Sequence, residues 1–148
     1  MTTRASLDSN ILVYAELEPE TPKGARAQRV IEIAAPRGVI TAQSLLEFIA
    51  VVRRRRGESL PSAMAKVEVW SKVFEVTPTT NLIISKALEI VRDHHFQVWD
   101  AVIWSASRAA GATIFLSEDL EHGIYLDGLR AANPFALKEK ELSALFGT

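Results

Sequence analysis

The chain has 148 residues, a length suited to one domain that buries roughly 70% of the surface its unfolded form exposes. At 48% hydrophobic and 24% charged it has the composition of an ordinary globular protein, and its net charge of −1 excludes a global basic field as the source of any nucleic-acid binding. The absence of cysteine excludes disulfides, thiolate metal sites and a cysteine nucleophile, and suits a reducing compartment.

The opening Met-Thr-Thr-Arg-Ala-Ser-Leu-Asp reaches an acid too early for a secretory signal. No apolar run approaches the roughly 20 residues that span a bilayer. The expectation is a single cytoplasmic domain over residues 1–148 with no membrane association.

In chain order, Arg4 to Leu7 reads as a short buried strand ending at Asp8, and Asn10 to Glu16 as a helix capped by Ser9 or Asn10. Thr21-Pro22 starts a helix, because proline in the first turn gives up no needed donor, and Pro36-Arg37-Gly38 breaks it near Ala35. Gly38 to Thr41 forms a second strand. Ala42 to Arg56 is helical, with Leu45, Leu46, Ile49 and Val52 on one face and Glu47 on the opposite side. A further helix begins near Ser59 and turns Leu60, Met64, Val67 and Trp70 inward.

Phe74 to Thr77 is a third strand, stopped by Pro78. Thr79 or Thr80 caps the next helix, whose Leu82, Ile83, Ala87, Ile90 and Val91 recur at helical spacing. Val98 to Ala110 is helical, with Val98, Val102, Ala106 and Ala109 buried and Gly111 as its stop. Thr113 to Leu116 is a compact strand leading to Ser117-Glu118-Asp119. A last strand lies at Ile124 to Leu126 or Leu129 to Ala132, and Ala136 to Phe146 forms a terminal helix. Strands alternating with helices predict right-handed crossovers and a mostly parallel sheet covered on both sides. The strand ends bearing Asp8 and Asp119 then share the edge where such sheets place their sites.

Four acids stand at junctions of these elements: Asp8, Glu47, Asp100 and Asp119. Each has an ordinary explanation alone. Asp8 can cap a helix, Glu47 can be solvated on a polar helix face, Asp100 can complement a helix dipole, and Asp119 can form a turn. Gathered in one cleft, they would repel one another, which raises pKa values or demands a cation. Carboxylate oxygens with retained water suit Mg²⁺ or Mn²⁺, and hydrolysis of a phosphodiester is the chemistry such a set supports.

The run Leu-Asp-Ser-Asn-Ile-Leu-Val-Tyr-Ala, then Glu47, Trp-Asp-Ala-Val-Ile and Leu-Ser-Glu-Asp-Leu, resembles the PIN domain family. The order of the acids and their separations of 39, 53 and 19 residues agree with that family. The stretch from Phe96 to Phe135 is most similar to VapC-like toxins of bacterial toxin–antitoxin pairs. The resemblance implies a three-layer α/β/α fold and a metal-dependent endoribonuclease. It implies Asp8, Asp100 and Asp119 as metal ligands and Glu47 as the helix acid that binds or orients metal and water. Asn10 and Ser117 match polar positions that hold those carboxylates. An RNA substrate, a small antitoxin and a homodimer are the implied partners; the alternative is a PIN-fold RNA-binding or regulatory module whose acids no longer catalyse.

Arg53, Arg54, Arg55 and Arg56 form the only basic run, and Arg54, on the Glu47 side, is the candidate for gripping an RNA phosphate. Glu118 reads as a solvated turn residue. His94, His95 and His122 read as surface or helix-end residues, and Trp70, Trp99 and Trp104 as core or dimer contacts, with Trp104 worth watching because it lies one turn after Asp100.

Overall fold

The computed structural model describes residues 3–147. Its strands are β1 (Ala5–Leu7), β2 (Val39–Thr41), β3 (Glu75–Thr77), β4 (Ile114–Leu116), β5 (Tyr125–Leu126) and β6 (Leu129–Ala132). The helices are α1 (Ser9–Leu17), α2 (Pro22–Ala34), α3 (Ala42–Arg55), α4 (Leu60–Val73), α5 (Asn81–His94), α6 (Val98–Ala109) and α7 (Glu139–Leu145). One sheet runs in the order β3-β2-β1-β4-β6-β5, parallel throughout except for the β5–β6 hairpin. Both candidate positions for the last strand are therefore strands, folded back on each other. The terminal helix begins at Glu139 rather than near Ala136.

Alternation along the strands separates two cores. Leu7 and Leu116 face a cluster built with Ile11, Leu12, Val30, Phe48, Trp70 and Leu142, while Phe115 faces a second cluster with Ile90, Ile103, Trp104 and Leu129. Helices thus cover both faces, giving the expected three-layer α/β/α arrangement with a mostly parallel sheet. Ser6, pointing from β1 to the second face, meets α6 through a buried hydroxyl pair with Ser107 at 2.6 Å. Each hydroxyl satisfies the other, so neither is an orphan under the sheet.

The helix starts follow local chemistry. Thr21, Thr41 and Thr80 each accept a hydrogen bond from a backbone N–H in the first turn of α2, α3 and α5. Asp8, not Ser9 or Asn10, is the N-cap of α1 and accepts from the Ser9 N–H. Four helical faces are rotated or widened relative to the periodicity. Leu46, Met64, Leu82 and Val98 are exposed, and in their place Phe48 and Ala63 are fully buried. In α6 every residue from Ala101 to Ser107 is buried, whereas Ala109 is exposed. Trp104 is fully buried with its ring edge-on to Phe96 and tilted against Phe115, so it is a core residue and no stacking platform for a base.

Gly24 marks where α2 crosses the end of α1. A Cβ built there overlaps the Glu18 carbonyl oxygen and touches Pro19. Helix propensity alone makes Gly24→Ala stabilising by about 1 kcal/mol. Overpacking against rigid backbone outweighs that gain, and the expected net loss is about 1–3 kcal/mol, read as a lower urea midpoint at unchanged slope. A midpoint equal to or above the original would show that α1 and α2 are not in this close contact.

Candidate active site

β1 and β4 are adjacent and parallel, with Leu7 paired to Leu116, so the residues after both strands emerge side by side. Asp8 follows directly from β1, its N–H donating to the Leu116 carbonyl at 3.0 Å. It is only 3% exposed. One carboxylate oxygen accepts from the Ser9 N–H at 2.7 Å, and the other from the Ser117 hydroxyl at 2.7 Å and, at the long distance of 3.5 Å, from Asn10 Nδ2. Asn10 Nδ2 also donates to Ser117 Oγ at 3.3 Å. Ser117 in turn accepts from the Asp119 N–H at 3.1 Å. Asn10 and Ser117 thus tie the end of β1 to the turn after β4.

Glu47 reaches the same region from α3. Its two oxygens accept from the Ser9 hydroxyl and from Gln43 Nε2, both at 3.3 Å. Gln43 lies one turn earlier on α3, so this pair is held by helix geometry. Asp100 enters from the first turn of α6, half-buried, and Asp119 sits exposed on the turn after β4.

The four acids share one electrostatic environment. Burial drives the Asp8 carboxyl up from an ordinary 3.8 to about 7; the hydrogen bonds from Ser117 and Ser9 oppose this, while the charges of Asp119 and Asp100 add to it. Asp100 is also raised, first by burial and then by Asp119 and Glu47. Among the described residues, no lysine, arginine or histidine forms an ion pair with any of the four. Nor do any three acids or histidines stand close enough to chelate one ion as they are placed. Asp8 is fixed by hydrogen bonds, whereas among the described residues none holds the side chains of Asp100 and Asp119.

Glu118 is not a solvated turn residue. Its carboxylate accepts from the Tyr14 hydroxyl at 2.6 Å and pairs with Lys23, whose ammonium also lies over the rings of Tyr14 and Phe135 at 4.4 and 5.1 Å. Burial opposes the Glu118 charge, but these two donors outweigh it and hold the carboxyl below its ordinary range. No periodicity signals this contact, since Tyr14 and Glu118 are 104 residues apart. The arginine run splits in use. Arg56 donates to the Leu17 carbonyl at 2.9 Å and Arg55 lies 3.9 Å from Glu18. Arg53 and Arg54 are exposed without such a partner among the described residues. The three histidines are exposed, as expected, and His122 accepts from the Asn133 N–H.

Solved structures of similar shape include a toxin–antitoxin complex from Klebsiella pneumoniae, at TM-score 0.67 and 14% identity over 90% of this chain and 99% of that one. VapBC2 from Rickettsia felis bound to a promoter DNA fragment gives TM-score 0.65 and 16% identity, over 88% and 98%. VapC20 from Mycobacterium tuberculosis, a toxin that cleaves the sarcin–ricin loop, gives 0.64 and 19%, over 75% and 86%. At these identities the likeness is one of fold. No curated protein matches the chain in sequence. The family model described as PIN domain matches residues 5–123, from the first residue of β1 to beyond the Asp119 turn. The chain belongs to the PIN domain family.

Proposed function

We propose that this PIN domain is a metal-dependent endoribonuclease that hydrolyses RNA phosphodiester bonds, and that it is the toxin of a toxin–antitoxin pair. The observation that carries the reading is Asp8: a carboxyl only 3% exposed, its ionisation opposed by burial and by Asp119 and Asp100, with no basic side chain among the described residues paired to any of the four acids. A surplus of buried negative charge costs stability unless something of opposite charge uses it. The donor set fits a hard divalent cation, being carboxylate oxygen throughout.

Asp8, Asp100 and Asp119 would hold Mg²⁺ or Mn²⁺, with Glu47 beside them. When bound, the cation supplies Lewis acidity toward water and a phosphoryl oxygen and lets the acids remain ionised. Glu47, its oxygens steered by Ser9 and Gln43, orients the water that attacks phosphorus and accepts its proton. Ser117 and Asn10 keep Asp8 from swinging away. Arg54, exposed two turns beyond Glu47 on the same helix, grips a flanking phosphate.

The toxin role is supported by the folds it shares with the Klebsiella and Rickettsia complexes. A small antitoxin covering the acidic cleft, and a homodimer using exposed apolar side chains such as Leu46 and Trp99, complete the reading. Among the described residues no helix is long and apolar enough to cross a membrane. An inactive RNA-binding module is the weaker reading, since such a module would gain by neutralising at least one of these acids.

The test is cleavage of total RNA by the isolated protein in Mg²⁺ or Mn²⁺. Discrete cuts that disappear with EDTA are the expected result. Intact RNA in both metals, from folded protein free of antitoxin, would defeat the nuclease reading.

A further inference from the structure

Asp119 is the least constrained of the four acids. Among the described residues its carboxylate makes no side-chain hydrogen bond, so its position is that of the turn that carries it, where its N–H donates to Ser117 Oγ at 3.1 Å. The turn is tied at Ser117 to Asp8 and Asn10. Beyond Asp119, the next backbone tie to the sheet is the Gly123 N–H to the Ala131 carbonyl. Between these anchors Leu120 packs on the second core and His122 accepts from the Asn133 N–H, both beyond Asp119, while Glu118, immediately before it, is held from the far side by α1 and α2 through Tyr14 and Lys23. Lys23 is fixed in turn, donating to the Tyr14 hydroxyl at 3.3 Å and lying over two aromatic rings that meet edge-on at 5.2 Å.

Glu118, pulled toward α1 and α2, leaves its neighbour Asp119 to present its carboxylate to the cleft where it couples to Asp8 and Asp100. We propose that Tyr14 and Lys23 are positioning residues that clamp Glu118 and thereby set where Asp119 meets the cation. Glu118 is thus a tether and not a fifth ligand, and α2, which supplies none of the site's residues, takes part in it through Lys23. The inference rests on the metal-binding part of the proposed function.

Removing Lys23 alone would also make the cleft more negative and pull a cation in, masking the loss of order. The test therefore uses two variants that keep the local charge: Tyr14→Phe, and Lys23→Met combined with Glu118→Gln. Mn²⁺ is titrated calorimetrically into metal-free protein without RNA, and near-ultraviolet circular dichroism checks that each variant is folded. Partners behind metal ligands usually contribute 10- to 100-fold in affinity, and a tether acting through the backbone is expected at the low end, about tenfold weaker binding in each variant. Tyr14→Phe removes a single oxygen and keeps the ring packed on Phe135, so it remains informative if the paired variant misfolds.

Folded variants that bind Mn²⁺ within about twofold of the original would overturn the clamp, whatever their thermal stability. A wild type that takes up no Mn²⁺ would overturn both the clamp and the metal site beneath it. A wild type that binds Mn²⁺ but cuts no RNA, with both variants weakened, would remove the nuclease reading and leave the clamp standing.

Discussion

Asp100→Asn is expected to lower RNA cleavage by at least about 10²–10³-fold while the fold is unchanged, the scale of losing one group that stabilises transition-state charge. The substitution replaces a half-buried carboxylate with an amide of the same shape. No side chain depends on Asp100 for a hydrogen bond, so nothing is orphaned by the change. Its ionisation is opposed by burial, by Asp119 and by Glu47, so a neutral side chain relieves repulsion. Structural damage is thus a poor explanation for lost activity at this position. The measurement is kcat/KM on a defined RNA drawn from the fragments of the wild-type digest, beside a thermal melt of each protein. Activity within about tenfold of wild type would remove Asp100 from the machinery and, with it, the assignment of all four acids as one set.

The first acid and the turn acid lie at element boundaries that local chemistry marks in the sequence, and the helix acid lies inside α3 at a phase set by that helix's start. Thr41 caps α3 and so fixes the phase at which Glu47 comes round; Leu-Ser-Glu-Asp after a β-branched and apolar strand marks the turn after β4. What periodicity could not supply was the angular width of each buried face. Leu46 follows Leu45 by one residue, about 100° around the helix, and lands outside the contact centred on Leu45, Phe48 and Val52. In α6 the error ran the other way. That helix lies between the sheet and α5, so Ala101 to Ser107, from alanine and serine up to Trp104, is buried nearly all round where a stripe is expected. The Glu118 clamp was illegible for a different reason. Nothing local to Tyr14 or Lys23 marks a shared partner, and only the chain fold brings them to a turn about a hundred residues later.

Asp8→Asn should make the metal-free protein more stable at alkaline pH even as it abolishes cleavage. The sign follows from the raised carboxyl. Between about 3.8 and about 7 the folded chain keeps a proton on Asp8 that the unfolded chain has released. Stability therefore falls as pH rises through that window, and above about 7 the loss is complete. At about 1.4 kcal/mol per pKa unit, the difference amounts to something on the order of 4 kcal/mol. An asparagine escapes it, its amide oxygen still accepting from the Ser9 N–H. Asp100 contributes a loss of the same sign in both proteins, so the variant's profile is flatter and not flat. In EDTA, the variant is expected to melt at least about 5 °C above wild type at pH 8 and close to it at pH 4. Mn²⁺ should then raise the wild-type melting temperature by mass action and leave the variant unmoved. A variant that melts below wild type at both pH values would mean that Asp8 is held for the fold. The buried charge would then not be a strain that the cation relieves, and the case for a metal site would lose its main support.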